Sequence, residues 1–192
     1  MSSFPQRPSR ADAQRNEQRI LDATAETIAV EPAASLEKIA RRAGVSRTTL
    51  YAHFASRDAL MDALTARSVE EVTTALTGAR PAEDTAVEAM DRVLIAAWDT
   101  VGRYRGLVIV NQRLDPADLG ARTAPATALV HALIIRGQHS GEFDRELRAE
   151  WLLTVVVDLI HVASRQVTSG MMDPRTAQRA LLRSAAAVLR RA

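Results

Sequence analysis

The chain has no cysteine, a single lysine and few aromatic side chains, which make up 4% of its 192 residues. Without cysteine there is no disulfide, no thiolate metal site, no thiol nucleophile and no thiol-based redox sensing. No apolar run is long enough to span a bilayer, because the best candidate, residues 152–160, is interrupted by Asp158. Residues 1–10 lack the apolar segment of a secretory signal, so no membrane association and a cytoplasmic location are expected. The four histidines, His53, His131, His139 and His161, fall at no metal-ligand spacing such as HExxH. GxSxG, P-loop and dinucleotide glycine patterns are also missing. Catalysis, a bound metal and a cofactor are therefore not expected.

What is present is helical in character. Hydrophobic residues make up 47% and charged residues 25%, an ordinary balance for a soluble globular chain. Strong helix formers dominate and β-branched runs are short, so the fold class is all-α, with about nine helices. The length suits one small domain and one larger helical domain around a real core. Net charge is only +2, and Lys38 is the sole lysine, so arginine supplies nearly all the positive charge. Arginine suits bidentate bonding to phosphate or guanine, although a GC-rich genome also produces arginine bias.

Residues 1–14 carry two prolines, Arg7 and Arg10, and no apolar periodicity, which reads as a loose arm. Ile20, Leu21, Ala25 and Ile28 recur at helical spacing over 15–30, and Glu31-Pro32 stops that helix. Ser35 caps a short helix to Arg42, Gly44 follows at a left-handed cap position, and Ser46 caps a third helix to about His53. Ser56 caps a fourth, reaching about Thr77. Further helices are expected at 82–101, 105–114, 116–138 (bent or split at Pro125), 145–169 and 174–190. The domain boundary is placed near Ser68, giving an arm over 1–14, a DNA-binding domain over 15–67 and a C-terminal domain over 68–192.

The informative segment is Ser35–Leu60, SLEKIARRAGVSRTTLYAHFASRDAL. Two short helices joined by a tight turn at Ala43-Gly44-Val45, with Ala40, Val45 and Leu50 placed for close crossing, form a helix-turn-helix pattern. The run AGVSRTTLYAHF followed by SRDAL makes Arg19–Leu64 resemble the DNA-binding domain of the TetR family of regulators. Two positions depart from the family pattern: Glu31-Pro32 stands where a glycine is usual, and Thr48 where glycine or another small residue is common.

The resemblance implies a sequence-specific regulator of double-stranded DNA, most often a repressor, and assigns roles to residues here. Arg47 and Thr48 are the candidates for base readout, through guanine and the thymine methyl respectively. Thr49, Tyr51 and His53 are candidates for phosphate contact, as is Arg57. Ser35 and Ser46 cap helices whose N-termini favour nearby phosphates. Arg7, Arg10 and Arg15 either reach into a minor groove or belong to a plain tail.

In the C-terminal two-thirds, the last two helices are apolar on broad faces, which by periodicity alone means only that those faces are buried. The resemblance implies that they pair with a second copy, giving a homodimer whose recognition helices read half-sites about 34–36 Å apart. Thr154, Asp158, His161 and Arg165 form a polar stripe along the eighth helix. That stripe is either its solvated face, a pocket lining, or a partner across the dimer for Arg175, Arg179 or Arg183. The resemblance also implies a small-molecule effector, with Met90, Trp98, Tyr104, Val110, His131, Ile134, Trp151 and His161 as candidate lining residues. Control by a protein partner, without a ligand, is the alternative.

Overall fold

A computed structural model describes residues 10–111 and 114–190. Among the described residues there are nine helices and no strand. They are α1 (Arg10–Val30), α2 (Leu36–Ala43), α3 (Arg47–His53), α4 (Arg57–Gly78), α5 (Ala86–Arg103), α6 (Arg105–Asn111), α7 (Pro116–Ser140), α8 (Ala149–Thr168) and α9 (Pro174–Leu189).

Helix starts follow side-chain capping. Ser35, Ser46 and Ser56 each accept a backbone N–H three residues on, and Asp173 accepts two at the start of α9. Three boundaries differ from expectation. Helix α1 begins at Arg10, inside the expected arm, where Asp12 sits in the first turn and pairs with Arg15. Helix α5 begins only at Ala86, because Thr85 and Glu88 close a capping box. Helix α8 begins at Ala149, because Asp144 bonds the N–H groups of Glu146 and Leu147 and holds that stretch in a turn. Helix α7 passes Pro125 as one element and is not split there.

The apolar residues gather into two cores. One joins Ile20, Ile28, Ile39, Leu50, Leu60 and Leu64 of α1–α4 with Tyr104 and Leu107 from the α5–α6 corner. The other joins Leu76, Met90, Leu94 and Trp98 with Leu133, Ile134, Leu152, Val156 and Leu181. The α5–α6 corner is thus packed into the N-terminal core, although it lies well beyond Ser68 in sequence. Gly106 makes the contact possible: a Cβ there would lie 2.5 Å from the backbone of Ile28, so α6 approaches α1 closer than any side chain allows.

Arginine forks tie the loops down. Arg92 donates to the carbonyls of Ala79, Arg80 and Glu83, and Arg136 to those of Pro81 and Asp84. This α4–α5 loop contains Arg80 and Asp84 with positive φ, and the two guanidiniums satisfy carbonyls that no helix uses.

Candidate nucleic-acid interface

The turn between α2 and α3 is built around Gly44, whose φ of 64° is left-handed and whose N–H closes back on the end of α2. Arg19 of α1 donates to the carbonyl of Ala43 at 2.8 Å and secures that turn from behind. Helix α3 buries little besides Leu50, which is 1% exposed and sits in the N-terminal core. The rest of its seven-residue surface is left outward, which is what a groove-reading helix requires.

The candidate DNA residues fall on this outward side, with two distinctions. Arg47, Thr48 and Tyr51 are exposed and His53 is half-buried, its ring 6.3 Å from that of Phe54. Thr49 is half-buried, its hydroxyl 2.8 Å from Ser46 Oγ, so it shares in capping α3. Ser35 receives the N–H of Lys38 and caps α2. Arg57 is also held from within the protomer: its terminal nitrogens donate to the carbonyls of Ala34 and Pro32 (the latter at 2.6 Å), so the guanidinium secures the α1–α2 turn. Arg7 lies outside the described residues.

Two contributors were not picked out from sequence. One is Arg19; the other is Glu37, whose carboxylate lies 3.9 Å from Arg47. Each meets its partner across 10 to 25 positions, so no local pattern announces it. Other basic groups are also held: Lys38 pairs with Glu31, and Arg42 bonds Glu26 at 2.7 and 2.9 Å.

A polar cluster joins α1, α4 and the end of α5. Arg67 of α4 bonds Asp22 of α1 and lies 3.1 Å from the Tyr104 hydroxyl, which donates to Glu71 at 2.8 Å. Arg103 pairs with the other Glu71 oxygen at 2.9 Å. Burial alone would lower the Arg67 pKa, but the bonds to Asp22 and Tyr104 outweigh it and raise it. Burial, then the bond to Glu71, pushes the Tyr104 phenol up.

The candidate effector residues are spread over both cores and the surface. Met90, Trp98 and Ile134 are packed into the C-terminal core, and Tyr104 and Val110 belong to the N-terminal one. His131 is half-buried, its Nε2 without a hydrogen-bond partner and 3.9 Å from Glu150. Trp151 is 58% exposed, and His161 is half-buried on α8. A cleft of about 480 Å³ opens elsewhere, between α4 and α7, lined by Asp62, Ala66, Val69, Glu70, Thr73, Thr74, Arg122 and Pro125.

Comparison with known proteins settles the class. Residues 20–64 match the family described as bacterial regulatory proteins, tetR family. Over those residues the chain is of the TetR type. It is accordingly similar to DNA-binding transcriptional regulators of that type. A relative, the HTH-type transcriptional regulator NfxB of Pseudomonas aeruginosa, is 26% identical over 177 residues, covering 88% of this chain and 94% of that protein. The TetR fold recurs in the regulator LfrR of Mycobacterium smegmatis, solved with proflavine. The two are 21% identical with a TM-score of 0.75, over 93% of this chain and 98% of that one. FadR of Bacillus subtilis, solved with stearoyl-CoA, superposes at a TM-score of 0.72 and 19% identity, over 90% and 98% of the two chains. Among the described residues no helix is long and apolar enough to cross a membrane, and no group of three or more His, Asp or Glu could hold a metal ion.

Proposed function

We propose that this TetR-family chain is a homodimeric repressor, not an enzyme, that holds a palindromic operator through α3 and lets go when a small molecule binds its C-terminal domain. The observation that carries the reading is the fixed presentation of α3. Gly44, Arg19 and Arg57 lock the turns on either side of α2, while Arg47, Thr48 and Tyr51 face outward. Arg47 and Thr48 read bases; Tyr51 and His53 meet phosphates beside the capped starts of α2 and α3. Ser35, Ser46 and Thr49 take part through those caps.

One short helix touches too few bases for specificity, so two copies are needed. Helices α8 and α9 supply the pairing face, since Trp151 and Val162 remain 58% and 42% exposed in the protomer. Coupling to an effector runs through α4, which starts at the DNA-binding unit and continues for 22 residues into the C-terminal domain. The Asp22–Arg67–Tyr104–Glu71 cluster and the Gly106–Ile28 contact make α1 follow any shift of α4 or α6. The α4–α7 cleft lies on this route and has a ligand-sized volume. LfrR and FadR, each solved with a small organic ligand, support a ligand-controlled reading. The filled core around Met90, Trp98 and Ile134 favours a second reading, in which a partner protein acts on the same route without an internal ligand.

The test is a footprint and anisotropy titration on DNA upstream of the chain's own gene, with sedimentation of the free protein. A protected palindrome, salt-sensitive binding and a dimer at micromolar concentration are expected. A clean monomer that protects no palindrome would overturn the proposal.

A further inference from the structure

The DNA-binding unit of this protein is close to neutral. Residues 15–67 carry eight lysines and arginines against seven aspartates and glutamates. Seven of those eight basic side chains are engaged with carboxylates or backbone carbonyls in the folded protomer. Non-specific attraction to DNA comes from unpaired cations replacing counterions along the phosphate backbone. A surface on which five of these cations already face carboxylates has less to offer arbitrary DNA.

Arg47 is the residue where this matters most. It opens α3, directly after the Ser46 cap, and its side chain is 64% exposed. Glu37, in the first turn of α2 after the Ser35 cap, places a carboxylate oxygen 3.9 Å from Arg47 Nη1. An ion pair this exposed adds little to stability, about 0–1 kcal/mol, so its effect must be sought elsewhere. A guanidinium has five N–H donors in a fixed fork. With Nη1 turned to Glu37, the edge formed by Nη2 and Nε stays open, and that edge matches the O6 and N7 acceptors of guanine.

Building on the assignment of Arg47 to base readout, we propose that Glu37 is a specificity-determining positioning residue. It orients Arg47 for guanine and cancels the charge that Arg47 would otherwise offer to any phosphate. On a cognate base the oriented fork gains two hydrogen bonds. On other DNA the pair stays closed and Arg47 contributes almost nothing, so the carboxylate widens the gap between right and wrong sites by weakening the wrong ones.

The experiment starts with selection of a preferred duplex from a random library by the wild-type protein, which tests the DNA-reading assignment by itself. Anisotropy titrations of wild type, Glu37→Gln and Glu26→Gln then follow on the selected and a scrambled duplex at two salt concentrations. Glu26, which pairs with Arg42 at 2.7 Å, controls for simple loss of one negative charge. With Glu37→Gln, binding to scrambled DNA should tighten about three- to ten-fold and its salt slope steepen by about one counterion. Affinity for the selected duplex should stay level or fall, and Glu26→Gln should not change the ratio. Equal tightening on both duplexes, no change on either, or the same ratio change from Glu26→Gln would overturn the proposal.

Discussion

In the N-terminal unit, the helices turn their apolar side chains inward, and among the described large apolar residues there only Val30 and Tyr51 are left exposed. The C-terminal unit leaves Ile95, Leu147, Trp151, Val162, Met171 and Met172 outside. The difference separates two kinds of recognition. A surface that meets phosphates and base edges has to be polar and rigid, and is positioned by arginines bonded to carbonyls. A surface that meets another protein surface can be apolar, because burying it is what drives association.

The comparison is broken most forcefully in the cores. Leu50→Ala and Leu152→Ala each remove a fully buried side chain and should cost about 2–5 kcal/mol. Trp98 and Trp151 both lie in the C-terminal unit, so tryptophan fluorescence follows that unit and far-ultraviolet circular dichroism follows the whole chain. Leu50→Ala should shift the dichroism melt while leaving the fluorescence melt nearly in place; Leu152→Ala should shift the fluorescence melt. If both variants displace both signals equally, the two cores form one cooperative unit.

A smaller effect lies at the seam. Gly106→Ala forces a methyl against the Ile28 backbone and should cost about 1–3 kcal/mol. Because it pushes α6 off α1, it should also draw the two melts apart. A melt identical to wild type would mean that this contact does not join the units.

The smallest effect is one of pH. Burial lowers the His161 pKa below its ordinary 6.5, outweighing the attraction of Asp158 and helped by Arg165. The unfolded chain therefore takes up a proton at a pH where the folded protein still refuses it. Stability from this source is complete above about pH 6.5 and declines as pH falls from there to the depressed folded value. His161→Gln should flatten thermal stability across that window. The separate loss at lower pH should remain, because Glu88, Glu142, Glu150 and Asp173, whose pKa values are lowered chiefly by hydrogen bonds, cause it.

Local chemistry was legible in the sequence wherever it decided the outcome. The caps at Ser35, Ser46 and Asp173, the left-handed turn at Gly44 and the inward positions of Ile39 and Leu50 all follow from residue type and spacing. What could not be read was contact between distant positions. Nothing around Arg57 in sequence announces its bonds to the carbonyls of Pro32 and Ala34. Nor does anything near Tyr104 and Val110 announce that the α5–α6 corner folds back onto α1. Glu37 and Arg47 lie ten positions apart on different helices, and only the angle set by Gly44 brings them together.

The central claim is that the outward face of α3 reads DNA sequence. Its most direct test is the affinity of Arg47→Ala for the selected and scrambled duplexes under identical salt. Loss of about ten- to a hundred-fold on the selected duplex, corresponding to 1–3 kcal/mol of base discrimination, with little change on scrambled DNA, is the predicted result. Equal loss on both duplexes would make Arg47 a phosphate anchor and contradict the account.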